Sequence, residues 1–452
     1  MAGARRTSLR MGCGSAYAED LIWPAVELAE KAQLDYIGID SLAERTLPMA
    51  SLRRINDPSK GYDLRLVQLI DQLFTVCVKN KVKVVGNMGA ANPRAAADLI
   101  AKRLREHGYR GVRIATITGD DVTEWVQREN PLIPTLGKRV GEMEGEIATA
   151  NAYIGADPIV QALEGGADII VGGRLADPSI WLGPMIHEFG WAYDDWEMKG
   201  FGQLCAHMLE CGLNLTGGNF ADPPYRIVED LVHIGFPYAD IYPDKAEAII
   251  QKLPGTGGRL DALSAKGQLT WEIKDPKQYL TPDVTADLSD VQVEDVADGQ
   301  VRVWGASGRE WPKTLRVLVG VLEGYIAEGE MTYSGLGAVE RAQMGAEIIR
   351  GRIKAEKVPI DDLRVDYIGI NSAHASVAPK PQTPPHEVRL RVAGRTKDEA
   401  AAQWLSHATE YLYIGGPASG GGNRRSVRPV LGSYQTFIPR DDVKLEVHIQ
   451  EN

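Results

Sequence analysis

At 452 residues and 49.3 kDa, with 44% apolar and 25% charged residues, the chain has the make-up of a globular protein of roughly two to four domains, which excludes wholesale disorder. The 50 Lys and Arg against 61 Asp and Glu leave a formal charge of -11, so no general field draws phosphate backbones or anionic lipid, and neither nucleic acid nor membrane is expected as a partner. The four cysteines (Cys13, Cys77, Cys205, Cys211) form no CxxC, no apolar stretch reaches the ~18 residues of a membrane span, and the first twenty residues lack a secretory apolar core, all of which predicts a reduced, soluble, cytoplasmic protein.

The first two hundred residues alternate helical periodicity with short apolar runs. LIWPAVELAEKAQ leads into the strand LDYIGID (34–40), LRLVQLIDQLFTVCVKN into KVKVVGN (81–87), PRAAADLIAKRLREHG into GVRIATITG (111–119), and ADPIVQALEGG into ADIIVGG (167–173). Runs this continuously apolar suit strands covered on both faces, and the alternation predicts βαβ units with a largely parallel sheet. Ligands bind beyond the carboxyl ends of such strands. The turns there, IDSLAERT (39–46), GNMGAANP (86–93), TITGDDV (116–122) and GGRLADPS (172–179), carry Asp, Asn, Ser and Gly, as plain turns and helix caps also require.

From about 240 to 335 the pattern shifts to α+β. KLPGTGGRL (252–260) reads as a flexible connection, with strands near 291–294 and 300–304 and two more within 315–335; a helix follows at 336–356. The last ninety residues offer strands at 362–371 and 387–395, a helix at 396–413 capped by Thr396, and strands at 425–441 and 444–450, a pattern pointing to a ferredoxin-like α+β unit.

Several constellations carry chemistry. GCGSAY sets Gly12, Gly14 and Ser15 ahead of a helix, with Asp40 closing the next strand, an incomplete dinucleotide fingerprint because Tyr17 stands where its third glycine belongs. In QLCAHMLECG, His207 and Glu210 share a helix face and suit a general acid/base couple, a buried structural histidine being the alternative. The following Thr216, Gly217 and Gly218, and Gly89 in GNMGAA, offer backbone N–H groups to an enolate oxygen. Arg174 in GGRLADPS suits a carboxylate or phosphate, oriented by Asp177, unless the two simply close a loop. Asp40, Glu44 and Asn87 lie at strand ends and complete the expected pocket. Asp275, Asp283 and Asp287 read as a solvated acidic loop before a cation site, GGPASGGGNRR (415–425) as a flexible turn or an anion cradle, and His187 as core. No metal site is assigned. No GxSxG elbow or HExxH motif occurs.

Taken together, LDYIGIDSLAERT, GNMGAANPRAAAD, TANAYIGADPIVQALEGGADIIVGGRLADPSIWLGPMIHEFGWAYDDW, HMLECGLNLTGGNFADP, LPGTGG and WEIKDPKQYLTPDVTADLSDV resemble the acyclic terpene utilisation protein A (AtuA) family over about residues 10–355. The closing residues resemble the ferredoxin-fold domain that accompanies it. The resemblance implies an α/β domain at 1–357 and a ferredoxin-like domain at 358–452. Family members are encoded with acyl-CoA carboxylases, dehydrogenases and enoyl-CoA hydratases, which implies a step on branched or isoprenoid acyl chains. No catalytic residue is carried over from the family. The expectation is a hydratase, dehydratase or carbon–carbon lyase of a small acid or acyl-CoA thioester, with no cofactor assigned beyond a CoA thioester as substrate, and with a homo-oligomer as the default assembly. The alternatives are a non-catalytic acyl-CoA-binding or scaffolding subunit and an NAD-dependent oxidoreductase.

Overall fold

In a computed structural model, which describes residues 6–379 and 381–452, each early apolar run forms a strand. These are β1 (Leu9–Ser15), β2 (Tyr36–Ile39), β3 (Lys83–Gly86), β4 (Arg113–Thr118) and, after β5 (Glu146–Ala152), β6 (Ile169–Gly172). Every residue of β2 and of β6 is buried, as both-face coverage demands. The intervening helices α1 (Trp23–Lys31), α2 (Pro93–Glu106) and α3 (Asp157–Glu164) each carry proline in the first turn, where its missing N–H loses no helical bond. Asn92 caps α2 by accepting from the Ala95 N–H. Two buried helices follow: α4 (Ser179–Phe189), stopped by left-handed Gly190, and α5 (Trp196–Glu210), capped by Asp195.

Strands β1, β2, β3, β6 and β4 lie side by side in that order, all parallel. Outside β1 the sheet continues antiparallel through β7 (Pro237–Tyr242), β8 (Glu247–Lys252), β10 (Gln300–Trp304) and β9 (Gln292–Ala297). The short links explain the change: β9 and β10 are joined by Asp298–Gly299, with Gly299 at φ +66, a hairpin turn that leaves no room for the crossover a parallel pair needs.

The chain divides into two compact units. One comprises the residues up to Glu142, Ala148–Gly320 and Ser433–Asn452; the other, Met143–Ile147 and Val321–Gly432. The sequence boundary at 357/358 therefore falls inside the second unit. Its elements run from residue 321 within β11 (Thr314–Ser334) through α6 (Ala338–Ala355), β12 (Asp362–Ile368), β13 (Glu387–Thr396) and α7 (Glu399–Gly415) to residue 432 within β14 (Gly420–Pro439), with sheet order β12-β13-β11-β14. Inward residues Met331, Tyr333, Leu390 and Val392 pack on Ala342, Ile349, Leu405 and Leu412 of the helices. The two strands expected within 315–335 are one 21-residue strand, in which Gly324 at φ +127 absorbs the irregularity. Thr396 ends β13, and Asp398 caps α7. The glycine-rich segment 415–425 is partly strand, since β14 starts at Gly420. The final strand, β15 (Glu446–Glu451), pairs antiparallel with β4, so the ten-stranded sheet is mixed, parallel only in its five-strand centre.

Candidate active site

The carboxyl ends of the parallel centre bring polar side chains together. Asp40 follows β2 and Asn87 follows β3; Asn87 Nδ2 donates to Asp40 Oδ1 at 2.6 Å, and its Oδ1 accepts from the Ser41 N–H at 2.7 Å. Beyond β6, Arg174 is 1% exposed. Its Nη1 donates to Asp177 at 2.7 Å and to the Leu175 carbonyl at 2.9 Å, its guanidinium lies 4.0 Å from the Tyr153 ring, and its buried Nε has no partner. Arg316 stacks on the same ring at 4.5 Å and donates to Glu44, which also accepts from the Tyr153 hydroxyl at 3.2 Å. Beyond β4, buried Asp120 accepts from the Arg174 backbone N–H and from Asn151 Nδ2, both at 2.9 Å.

These surroundings shift the carboxyls apart. Burial pushes Asp40 well above the usual carboxylate range; Asp177 adds to the rise, and Arg174 opposes it. Burial acts on Glu44 in the same sense, but its own backbone N–H together with Arg174 and Arg316 leaves it below its ordinary value. The edge thus holds one carboxyl that favours its proton and one that favours its charge.

His207 and Glu210 lie on one face near the end of α5, as their spacing predicts, with Nδ1 and Oε1 2.6 Å apart. Both are buried, and His207 Nε2 and Glu210 Oε2 have no hydrogen-bond partner. Burial raises Glu210 to about 7, against the pull of His207. Burial would lower His207, but the Glu210 charge and hydrogen bond hold it above the ordinary imidazole value. Both groups thus hold a proton more readily than they would in water. Asp177 is close enough to raise Glu210 as well as Asp40, which ties the pair to the Arg174 cluster. The Tyr279 ring lies 5.7 Å from His207, and burial together with Glu210 and Asp177 pushes its phenol well up.

Other expected positions serve packing. Gly12 and Gly14 lie inside β1, where a Cβ would stand 2.7 Å from Leu34 Cδ1 and 2.5 Å from Ile39 Cδ1 respectively. Ser15 Oγ donates to the Tyr17 carbonyl. None of the three forms a turn at a helix N-terminus, so the dinucleotide fingerprint fails on geometry as well as on its missing glycine. The Gly217 and Gly218 N–H groups donate to the Asn214 and Leu213 carbonyls, and Thr216 Oγ1 donates to Gly235 O, so this turn is not a free set of oxyanion donors. Gly89 allows a close crossing: its Cβ would fall 2.6 Å from Gly172 O. Asp283 is buried and binds Ser179 and the Ala156 N–H, while Asp275 and Asp287 cap their own loops, so the acidic trio does not assemble. His187 is half-buried at the end of α4.

The sequence reading missed Tyr153, Arg316, Asp120, Asn151 and Tyr279. The motif ANAYIG carries two of them beside the glycine turns, but Arg316 arrives from a strand far along the chain and has no local signal. It also missed a cavity of about 180 Å³ lined by Arg54, Asn92, Arg94, Asp120, Asp121 and Asn151, among others.

Fold and site together define a mixed α/β protein with a buried arginine at the carboxyl edge of its parallel strands and a buried His–Glu pair near the end of α5. The chain belongs to the acyclic terpene utilisation family AtuA, whose model matches residues 9–449. No curated protein matches it. Among the described residues no helix is long and apolar enough to cross a membrane.

Proposed function

We propose that the chain is an enzyme of acyclic terpene catabolism that adds or removes water, or cleaves a carbon–carbon bond, next to the carbonyl of a small or branched acid or its acyl thioester. The observation that carries this proposal is the buried His207–Glu210 pair with one unpartnered atom on each residue. A buried polar atom without a partner costs about 1–3 kcal/mol, and proton transfer to a substrate gives these two atoms a use. Once Glu210 is ionised and the imidazole neutral, Glu210 holds the proton on Nδ1 and leaves Nε2 as the base for a hydrogen next to the carbonyl. Asp40, held protonated by burial, supplies the proton that leaves with the hydroxyl. Arg174 anchors the substrate's anionic group, Asn87 orients Asp40, and Glu44 keeps Tyr153 and Arg316 in place against Arg174.

The dehydration then balances: one C–H and one C–O bond break, a C=C bond forms, and the protons pass to His207 and from Asp40 to water. A panel of hydroxy acids and enoyl thioesters tests this directly. On the substrate that turns over, His207→Ala and Glu210→Gln should each lower kcat/KM by about 10²–10⁴. Wild-type rates in both variants would remove the pair from the mechanism. Binding of an acyl thioester with no turnover on any substrate would support a non-catalytic binding subunit instead. An NAD-dependent reaction has no support in the packing of Gly12 and Gly14.

The second unit's order of strand, helix, two strands, helix, strand, with the first and third strands central, supports the ferredoxin-like reading from residue 321 onward. Four free cysteines, three of them buried, fit a reducing cytoplasm. The homo-oligomer expected from size is measurable by light scattering.

A further inference from the structure

The cavity beside Asp120 lies outside the His207–Glu210 pair and has its own chemistry. Arg54 comes from the helix Thr46–Asn56, Arg94 from the first turn of α2, and Asp120, Asp121 and Asn151 from the loop after β4 and from β5. The arginines are lightly committed. Arg54 Nη1 donates to the Ala91 carbonyl at 2.7 Å and lies 4.0 Å from Asp121; Arg94 pairs with Glu446 at 2.9 Å, both side chains 71% exposed. Exposed pairs of this kind contribute little and exchange partners readily. The N-terminus of the fourteen-residue α2 adds its positive end. Asp120 is 6% exposed, and its two donors leave acceptor sites unused. Burial also pushes its carboxyl up, and in either protonation state it pairs with a hydroxyl. The volume, about 180 Å³, suits a small molecule of a few heavy atoms.

We propose that this cavity binds a short-chain hydroxycarboxylate, its carboxylate on Arg54 and Arg94 and its hydroxyl on Asp120. Asp120 also accepts the Arg174 backbone N–H, so occupancy bears on the loop that carries the buried arginine. The site does not depend on acid–base work by His207.

Isothermal titration of the full chain with 3-hydroxybutyrate and with butyrate tests the proposal. The hydroxy acid should bind more tightly than butyrate. Arg54→Ala and Arg94→Ala, at exposed side chains that leave the fold intact, should each weaken it by about tenfold. Asp120→Ala, which leaves no side-chain group for the hydroxyl, should erase the preference over butyrate, with thermal unfolding as the check on folding. His207→Ala should leave binding unchanged even where it abolishes turnover, which separates this site from the proposed reaction. Three results would overturn it: no binding up to about 20 mM, unchanged affinity in both arginine variants, or affinity lost in His207→Ala alone.

Discussion

Asp40 in the first unit and Asp366 in the second are equally secluded, at 5% and 4% exposed, and their company is opposite. Asp366 sits on β12 against β13 and accepts from Arg364 at 2.9 Å and Arg391 at 2.7 Å. Around it the sheet face is a ladder of cross-strand pairs, Arg389 with Glu330, Arg391 with Glu328 and Arg395 with Glu323. Among the described residues, Asp40 takes its hydrogen bonds from an amide, Asn87, and from the Leu42 N–H at 3.2 Å, and no guanidinium or ammonium bonds it. Buried carboxylates matched by cations are what a folded sheet needs for stability. Carboxyls buried without them, beside His207 and Arg174 atoms that lack partners, mark a place where stability is traded for chemistry.

The largest effect that could break this comparison is at Arg174. Arg174→Ala removes the cation that opposes the rise of Asp40 and bonds Asp177 among the described residues, so urea denaturation should show a loss of about 3–5 kcal/mol. A loss under about 1 kcal/mol would mean that Arg174 contributes no more than an exposed surface pair does.

Glu210 sharpens the contrast through pH. Its carboxyl is raised from 4.5 to about 7 in the folded state, so the stability it contributes is complete below 4.5 and is lost as pH rises through 7. Over that window the loss is about 3 kcal/mol at 1.36 kcal/mol per unit. Wild-type protein should therefore be less stable at pH 8 than at pH 5 by that order, and Glu210→Gln should flatten the difference. An unchanged pH slope in the variant would place the titration elsewhere.

Much of this architecture is legible in the sequence because it is local. The runs YIGI, VVG and IIVG are apolar throughout, and each lies in a strand that ends where the polar turn begins. The spacing of His207 and Glu210 likewise fixes a shared helix face before any packing is known. What escaped depends on distant partners. The antiparallel margin beside β1 is set by sheet pairing, although the Asp298–Gly299 hairpin was a readable clue. Gly12 and Gly14 imitate a phosphate loop in sequence, and only Leu34 and Ile39 pressing on them show that packing required them. Arg316 reaches Glu44 across 272 positions, and no local pattern announces it.

The smallest expected effect is the sharpest test of the comparison. Because burial favours the protonated form of Asp40, Asp40→Asn replaces one neutral planar group with another. Its amide oxygen still accepts from Asn87 Nδ2 and the Leu42 N–H, so stability at pH 7 should change by less than about 1 kcal/mol. Asp366→Asn removes a charge from between two guanidiniums and should cost about 2 kcal/mol. Activity should run the other way, falling in Asp40→Asn, which has no proton to release, and holding in Asp366→Asn. Equal losses of stability in both variants would mean that Asp40 is ionised in the folded protein, and its part as a proton donor would then pass to another group, for which Tyr279, 5.7 Å from His207, is a candidate.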